Sequence, residues 1–406
     1  MDAADTAGTA ADQAEARTAR ASRTTEGRDG ADRPGPARAP GDGAPAGGAP
    51  GDGAPAGGER ASEPEPPSAE SPRTVRGPRR LPLPPGRARR AAAWCAGTLL
   101  LLTTVPVACR AAGVDGVTPI PQLLAFLPWL LVPAGLGLLL FAAARRPVGC
   151  AWALAVLGVT CWFVTPYGDG PAEPRGPLAA RLTVLTANLE FGGATADLLE
   201  TLRREQPALV SVQECDDRCA MALDSPALRQ AYPYRNIVSG TPAEGSAILS
   251  TYPLTDEPGV RGTLAMPGAV AEVAGQRVRM QVAHPMPPVP GQLDLWRTEL
   301  GRLRDYADRR GGLPTIVAGD FNASQDHAVF RAVLGSGMRD SARLLGADRT
   351  PTWPADTASR SVGTQIDHVL VSDAFRPRAA RFLDLDGTDH RAVLVTLDLH
   401  RGTEEF

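Results

Sequence analysis

Three uninterrupted apolar runs lie between positions 91 and 165. They cover 91–109, 120–144 and 148–165, and none contains a charged residue. Each run approaches the roughly 20 residues that a helix needs to cross the hydrocarbon core, and Trp lies near several of their ends. Buried helices of a soluble protein are the alternative. Three such runs in close succession instead favour three transmembrane helices within 91–167.

The pattern changes from about residue 181, where short strand-like and helix-like segments alternate. "RLTVLTANL", "ALVSVQE", "TIVAGDF" and "AVLVTLDL" are typical of buried strands, and "AVAEVAGQRVRMQVAH" predicts a hairpin that turns at Ala274-Gly275. The segment 293–310 places Leu293, Trp296, Leu300 and Leu303 on one helical face. Hairpins mixed with strand-helix alternation predict one α/β domain over 181–400 with antiparallel pairing, rather than a doubly wound parallel sheet.

Residues 1–90 contain almost no large apolar side chain and include the tandem repeat "GDGAPAGGAP" followed by "GDGAPAGG". A segment of this composition buries too little apolar surface to offset its chain entropy, so a disordered tail is predicted. The Gly/Pro-rich segment 168–180 is interpreted as a linker between the apolar runs and the α/β domain.

Arginine predicts the orientation in the membrane. All 42 basic residues are Arg, and seven of them lie between 73 and 90, where there is no acid. Arg145 and Arg146 lie between the second and third apolar runs. Both clusters should remain in the cytoplasm, so three crossings deliver the α/β domain to the outer face of the cell membrane. The tail is then cytoplasmic.

Polar side chains of the kinds that bind metal or phosphate stand at the ends of most predicted strands. Taken singly, each is explained as a turn residue, a helix cap or a satisfied core polar group. Because strand ends at one edge of a sheet can converge on one cleft, the set as a whole predicts a functional site. Its members are Asn188, Glu214, His284, Asp320, Asn322, Asp367, Asp389 and His390.

These residue types suit the hydrolysis of a phosphate ester, which requires an activated water and a neutralised phosphoryl group. Hard oxygen ligands such as Glu214 suit Mg²⁺ (or Mn²⁺). His390 is the natural general base and needs a carboxylate to orient its imidazole. Adjacent strand residues face opposite sides, so Asp367 rather than His368 is placed in the cleft, and His327 is placed at its rim.

The ordered motifs Asn188, "QE", "GSAILSTYPL", "GDFN", "IDHVLVS" and "DHRAVLV" resemble the endonuclease/exonuclease/phosphatase superfamily, which has the DNase I-like fold. The resemblance covers about 181–400. It implies a four-layer αββα sandwich of two mixed sheets with a divalent-metal phosphoesterase site at one rim. It also implies that Asp367 orients His390, and that Glu214, Asn188 and Asp389 lie on the metal side. Asp320 would align the attacking water, Asn322 would bind a phosphate oxygen, and His284 would be a further phosphate donor or the acid at the leaving group.

Cys215 and Cys219 directly follow Glu214. A disulfide, two free thiols and a zinc site are the alternatives, and zinc is disfavoured because two further ligands are lacking nearby.

The net charge of the α/β domain and the apolar segments around it favour one class of phosphorylated substrate over another. From residue 181 onward there are 24 Arg and 29 acids, a net charge of 24 − 29 = −5, without the basic stripe typical of a nuclease. An apolar "HPMPPVP" loop at His284 and the apolar runs suit a lipid-linked substrate. Three spans followed by an outer phosphatase-like domain resemble membrane proteins linked to glycopeptide (teicoplanin/vancomycin) resistance, which implies a cell-wall lipid phosphate or pyrophosphate. The alternatives are an extracellular nuclease or phosphodiesterase, and a non-catalytic binding protein.

Overall fold

The structure, a computed structural model, describes residues 85–165, 176–355 and 362–401. The predicted disordered tail lies outside the described residues up to position 84, and so does most of the predicted linker. Two boundaries differ from the predictions: helix α1 (Pro85–Ala112) begins within the predicted tail, and strand β1 (Leu178–Asn188) begins within the predicted linker. Apolar composition places the start of α1 too late, because the first turns of this helix are rich in arginine.

Two helices of the described residues are long and apolar enough to cross a membrane. They are Gly86–Ala112, with mean hydropathy 1.7, and Pro147–Val164, with mean hydropathy 1.8. The second belongs to α4 (Pro147–Val164). The middle run is instead divided into α2 (Ile120–Ala125), a 3₁₀ turn (Leu127–Leu130) and α3 (Leu131–Ala143). Proline at 121, 128 and 133 removes backbone donors there. The expected count of three spans is therefore not confirmed.

These apolar segments pack against one another along their length. Leu100 of α1 lies against Ala134 and Phe141 of α3, and Ala153 and Val156 of α4 complete the cluster. Gly149 lies directly under the ring of Phe141, where an added Cβ would come within 2.4 Å of it. A glycine at this position is what allows α3 and α4 to approach closely.

The remainder of the chain forms two six-stranded mixed sheets. Their strand orders are β11-β12-β1-β2-β4-β3 and β5-β6-β7-β8-β10-β9. The β1–β2 and β7–β8 pairs are parallel and all the others are antiparallel. The strands of the first sheet are β1 with β2 (Leu209–Gln213), β3 (Tyr234–Val238), β4 (Ser246–Ser250), β11 (Phe375–Asp384) and β12 (Arg391–His400). Those of the second are β5 (Leu254–Val260), β6 (Met266–Val273), β7 (Gln276–Ala283), β8 (Thr315–Asp320), β9 (Arg339–Asp340) and β10 (Asp367–Val371).

Three apolar layers hold the sheets and the helices together. Side chains such as Val184, Ile248, Met280 and Ile316 fill the space between the two sheets. The outer face of the first sheet is covered by α5 (Thr195–Glu205), α6 (Asp217–Leu223) and α7 (Pro226–Ala231). The outer face of the second is covered by α8 (Leu293–Asp308) and α9 (Ala328–Gly335), with the short α10 (Ser341–Leu344) nearby. The four-layer αββα sandwich is confirmed.

Two local predictions within the sandwich are also confirmed. The β6–β7 hairpin turns at Ala274 and Gly275, both with positive φ, which suits the right-handed twist of a two-residue hairpin. The apolar stripe of α8 is buried through Trp296, Leu300 and Leu303 against the second sheet.

The turn between α1 and α2 and the end of α1 contact the sandwich through polar groups. Asp115, in the turn between α1 and α2, accepts hydrogen bonds from the backbone N–H groups of Ala328 (2.6 Å) and Val329 (3.1 Å) at the start of α9. The buried Asp326 carboxylate pairs with Arg110 of α1 (3.2 Å) and with Arg349 (2.5 Å). Capping and ion pairing therefore join the two parts of the chain.

His327 belongs to this contact rather than to the rim of the cleft, where the sequence placed it. Its Nε2 donates to the carbonyl of Pro121 (2.8 Å), and its Nδ1 accepts from the N–H of Ser324 (2.9 Å). The side chain is fully buried. Sequence alone gives no sign that residue 121 packs against residue 327.

Candidate active site

The predicted site residues converge where the strands of both sheets end. Asn188 ends β1 and Glu214 follows β2, while Asp389 and His390 precede the antiparallel β12. In the second sheet, Asp320 ends β8 and is the register partner of Asp367 at the start of β10. His284 follows β7. The expectation of a shared cleft thus has a structural basis in the register of the strands.

Asn188 links the two rims. Its Nδ2 donates to Oε1 of Glu214 and to Oδ2 of Asp320, both at 3.1 Å, and its Oδ1 accepts from the N–H of Glu190. Asn188 therefore orients one carboxylate from each sheet.

Glu214 stands just beyond β2 with a φ of 54°. Burial raises the pKa of its carboxyl, against the hydrogen bonds from Asn188 and from the N–H of Phe191. Its Oε1 lies 3.8 Å from Nε2 of His284. The group is a hard oxygen donor held by two hydrogen bonds at the edge of the cleft.

His390 and Asp367 form an oriented pair. Nδ1 of His390 donates to Oδ2 of Asp367 at 3.0 Å, which leaves Nε2 facing Oδ1 of Asp389 (3.7 Å) and Oδ2 of Asp320 (3.9 Å). Burial would lower the pKa of the imidazole, but the charge and hydrogen bond of Asp367, with the charges of Asp320 and Asp389, raise it to about 10. His368 lies on the opposite face, bonded to Asp340, as strand alternation predicts.

Asp320 is the most strongly perturbed carboxyl of the cleft. Burial, followed by the charge of Asp367, raises its pKa to about 7. Its Oδ1 accepts from the backbone N–H of Asn322 at 2.7 Å, so the polar turn after β8 aims this carboxylate inward. The Asn322 side chain donates to the carbonyl of Pro285 at 3.0 Å, which leaves one amide hydrogen for a ligand.

His284 is buried, and burial, with the charge of His390, lowers its pKa to about 3. At neutral pH it is therefore an uncharged imidazole. Its Nδ1 has no hydrogen-bond partner among the described residues. A neutral ring with Nε2 beside Glu214 is available to donate to a bound phosphate.

Two site residues were not found from the sequence. Trp353 donates from Nε1 to Oδ2 of Asp389 at 2.8 Å, and Glu190 accepts the backbone N–H of Asp389 at 2.8 Å. Glu190 is two residues from Asn188 in the chain, and this proximity could have suggested Glu190 as a site residue. Trp353 is 36 residues from Asp389, and its loop carries no periodic signal.

The donor set fits a hard divalent cation. Asp320, Asp367 and His390 each offer a ligand atom, and these atoms lie within 4.8 Å of one another. Oδ1 of Asp367 is buried and has no hydrogen-bond partner within the part of the chain that the structure describes. This trio differs from the expected set of Glu214, Asn188 and Asp389. Glu214 and Asp389 lie outside this trio, and Oδ1 of Asp389 is 3.7 Å from Nε2 of His390.

The two cysteines beside Glu214 form a disulfide, Cys215–Cys219. Both are fully buried in the apolar layer under α5 to α7 and point away from the cleft. Of the three alternatives, the structure shows the disulfide.

A rim of carboxylates with an oriented His–Asp pair defines the class of the site as that of a hydrolase acting on phosphodiester bonds. The profile of the Endonuclease/Exonuclease/phosphatase family matches residues 185–390, just over half of the chain. This range includes all the site residues and none of the apolar helices α1 to α4. The chain belongs to this family, whose members are hydrolases of phosphodiester bonds that typically use a divalent metal.

Solved structures with similarity to the chain include D. rerio TDP2 complexed with a single-strand DNA product. It is 18% identical, covers 54% of this chain and 99% of its own, and has a TM-score of 0.45. The human Nocturnin catalytic domain with bound sulfate is 17% identical, with coverages of 55% and 96% and a TM-score of 0.43. An endonuclease/exonuclease/phosphatase family protein from Bacteroides thetaiotaomicron is 18% identical, with coverages of 55% and 99% and a TM-score of 0.41. None of the curated proteins searched matches the chain.

Proposed function

We propose that the chain is a membrane-anchored, divalent-metal-dependent phosphoesterase whose site works outside the cytoplasm. The observation that carries the proposal is the oriented His390–Asp367 pair, whose free Nε2 faces Asp320 and Asp389 at the junction of the two sheets. A hydrolase needs a base and positioned charge at one point, and this arrangement supplies both.

The residues divide the work as follows. Nε2 of His390 takes the proton of the attacking water, while Asp367 holds the imidazole in the required tautomer. Asp320 aligns that water, and neutral His284 and the free Asn322 amide hydrogen donate to phosphate oxygens. Glu214 and Asp389, with Asn188 in support, would hold Mg²⁺ or Mn²⁺, which when bound supplies Lewis-acid stabilisation of the phosphoryl charge.

The packing of the apolar segments supports three passes through the bilayer. Arg110, near the end of α1, lies 4.5 Å from the ring of Phe163 at the end of α4. At the other end, Arg90 and Arg146 line one cavity. Helices α1 and α4 therefore run in the same direction, and the chain between them must travel back from the end of α1 to the start of α4. We propose that this middle run crosses the bilayer as a broken helix. Both arginines then face the cytoplasm, and the sandwich lies outside.

A lipid-linked phosphate is the substrate that we favour. The ring of Phe126 in the middle apolar run lies 6.4 Å from that of Trp353, whose indole donates to Asp389, so this part of the catalytic rim lies near the apolar helices. Phe191 is 57% exposed although its backbone N–H is fixed by Glu214, so an apolar ring stands in solvent beside the cleft. The net charge of −5 from residue 181 onward disfavours a polyanion. An isoprenoid pyrophosphate or other cell-wall lipid phosphate meets these conditions.

A substrate panel on the full-length chain in detergent or nanodiscs tests the proposal. We expect Mg²⁺-dependent, EDTA-sensitive release of phosphate from an undecaprenyl pyrophosphate analogue, and none from a His390→Ala control. Cleavage of DNA without action on the lipid would establish the nuclease alternative. Absence of turnover on every phosphate ester would indicate a binding protein.

A further inference from the structure

Two short segments lie between the apolar helices and the catalytic rim. They are 351–355 and 362–365, which we call the bridging strip. Trp353 and Thr364 pair through their backbones, with N–H to carbonyl distances of 3.0 and 2.7 Å. No step of the proposed reaction uses the strip, yet it contacts both parts of the molecule.

On its catalytic side, the strip holds two acids of the site. Trp353 Nε1 donates to Oδ2 of Asp389 at 2.8 Å, and the backbone N–H of Ala355 donates to the Asp389 carbonyl at 2.7 Å. The hydroxyl of Thr352 accepts the backbone N–H of Asp367 at 3.1 Å. The side chain of Asp389 is 29% exposed, so without the indole its carboxylate would be free to rotate.

On its other side, the strip rests on the middle apolar run. The hydroxyl of Thr364 donates to the carbonyl of Ala125 at 2.6 Å, and Thr364 is nearly fully buried. The ring of Phe126 lies 6.4 Å from that of Trp353, at an interplanar angle of 53°. This is within the range of attractive aromatic pairs.

We propose that Trp353 is a positioning residue that fixes the Asp389 carboxylate for the cation, and that Phe126 and Ala125 hold Trp353 in place. The apolar segment thereby completes the metal side of the site. With Oδ2 taken by the indole, Oδ1 of Asp389 is directed towards Nε2 of His390, 3.7 Å away. The inference rests on the proposed function, because it requires a cation at Glu214 and Asp389.

Binding of Mn²⁺ to the full-length chain in detergent, followed by the electron paramagnetic resonance of free Mn²⁺, tests the indole. Trp353→Phe keeps an aromatic ring at this position and removes the Nε1–H donor. We expect it to raise the Kd for Mn²⁺ roughly 10- to 100-fold, as loss of a group that orients a metal ligand does. Trp162→Phe is the matched control, because Trp162 is 76% exposed on α4. Unchanged affinity in Trp353→Phe would overturn the assignment.

A double-mutant cycle separates positioning from a general loss of structure. If Trp353 acts through Asp389, then Trp353→Phe combined with Asp389→Ala should bind Mn²⁺ as Asp389→Ala alone does. Additive losses would mean that Trp353 acts elsewhere and would overturn the proposal. The cycle also detects a Trp353→Phe variant that binds Mn²⁺ weakly because its fold is destabilised. That loss of affinity would persist in the Asp389→Ala background and would add to the loss caused by Asp389→Ala.

Phe126→Ala tests the role of the apolar segment. We expect a Kd for Mn²⁺ raised on the order of a few-fold, against no change for Val132→Ala, whose side chain is 63% exposed on α3. Wild-type affinity in Phe126→Ala would overturn this half of the proposal. Mn²⁺ binding by the wild type that Glu214→Gln does not weaken would instead overturn the proposed cation site, so the two failures are distinguishable.

Discussion

At the scale of single residues, burial favours the uncharged form of the ionisable side chains in the cleft, and for His390 this is the form that a general base needs. Asp320 and His390 are both nearly buried, yet burial drives their protonation in opposite directions. Carboxylates within 4 Å of the His390 ring outweigh its burial. An imidazole whose pKa is raised this far by carboxylates is unprotonated at neutral pH only if a bound cation offsets their negative charge. The proposed base and the proposed cation site therefore depend on each other.

His390→Ala should lower the turnover number by about 10²- to 10⁴-fold, because no other unengaged imidazole nitrogen faces Asp320 and Asp389 among the described residues. The measurement is phosphate release by the full-length chain at saturating Mg²⁺, with a circular dichroism spectrum to show that the fold is retained. His400→Ala is the matched control, since His400 bonds to Gly176 far from the cleft. Near-wild-type turnover in His390→Ala would refute its role as base.

At the scale of elements, Asp398 on β12 pairs with arginines on both neighbouring strands of the first sheet, β1 and β11. Asp398 of β12 is fully buried and accepts from Arg181 of β1 (2.6 Å) and Arg378 of β11 (2.5 Å). The hydrogen bond from Arg181, with that from Arg378, holds the pKa of Asp398 below its usual value, although burial opposes this. Three neighbouring strands are therefore joined through one carboxylate.

Asp398→Asn should lower the melting temperature at pH 7 by roughly 2–4 °C, a modest loss because both arginines are substantially exposed. A depressed native pKa stabilises the fold above the unfolded value of about 3.9, and the effect is lost as the pH falls through the native pKa. The difference between variant and wild type should thus shrink below about pH 4. Glu200→Gln, at an exposed site on α5, is the control. A difference that is constant with pH would contradict the assignment.

At the scale of the whole molecule, the sandwich is attached to the apolar helices by built polar contacts. Asp115 caps α9 from the turn between α1 and α2, and Asp326 is buried between Arg110 and Arg349. The family profile covers residues 185–390 and includes none of the apolar helices. The apolar helices, and with them Arg110 and Asp115, therefore lie outside the residues that the family profile matches.

Asp115→Ala should destabilise this junction by about 1 kcal/mol, the usual loss when a helix cap is removed. The measurement is thermal unfolding of the full-length chain in detergent. Asp294→Ala is the control, because its side chain is fully exposed at the start of α8. Equal stability of Asp115→Ala and the control would show that the cap does not contribute to the docking.

A site residue could be predicted from the sequence only where the local sequence pattern marks it. Asn188, Glu214, Asp320 and His390 stand at the ends of buried strands, so the change from apolar to polar marks them. Trp353 and Asp115 lie in irregular segments, and only their partners far along the chain give them a role. The broken middle run was missed for a related reason: apolar composition indicates burial in lipid or protein but does not weigh three prolines.

Local pattern by itself determined strands β1, β2, β8 and β12, the β6–β7 hairpin with its turn, the amphipathic helix α8, and the acids and imidazoles at the strand ends. These features follow from side-chain periodicity and backbone preference within a few residues. Only the tertiary structure decided that Asn188 bridges Glu214 and Asp320, that His327 packs on Pro121, and that the indole of Trp353 holds Asp389. Those contacts join positions up to 206 residues apart, and their hydrogen bonds form only when both sheets and the apolar segments are already packed.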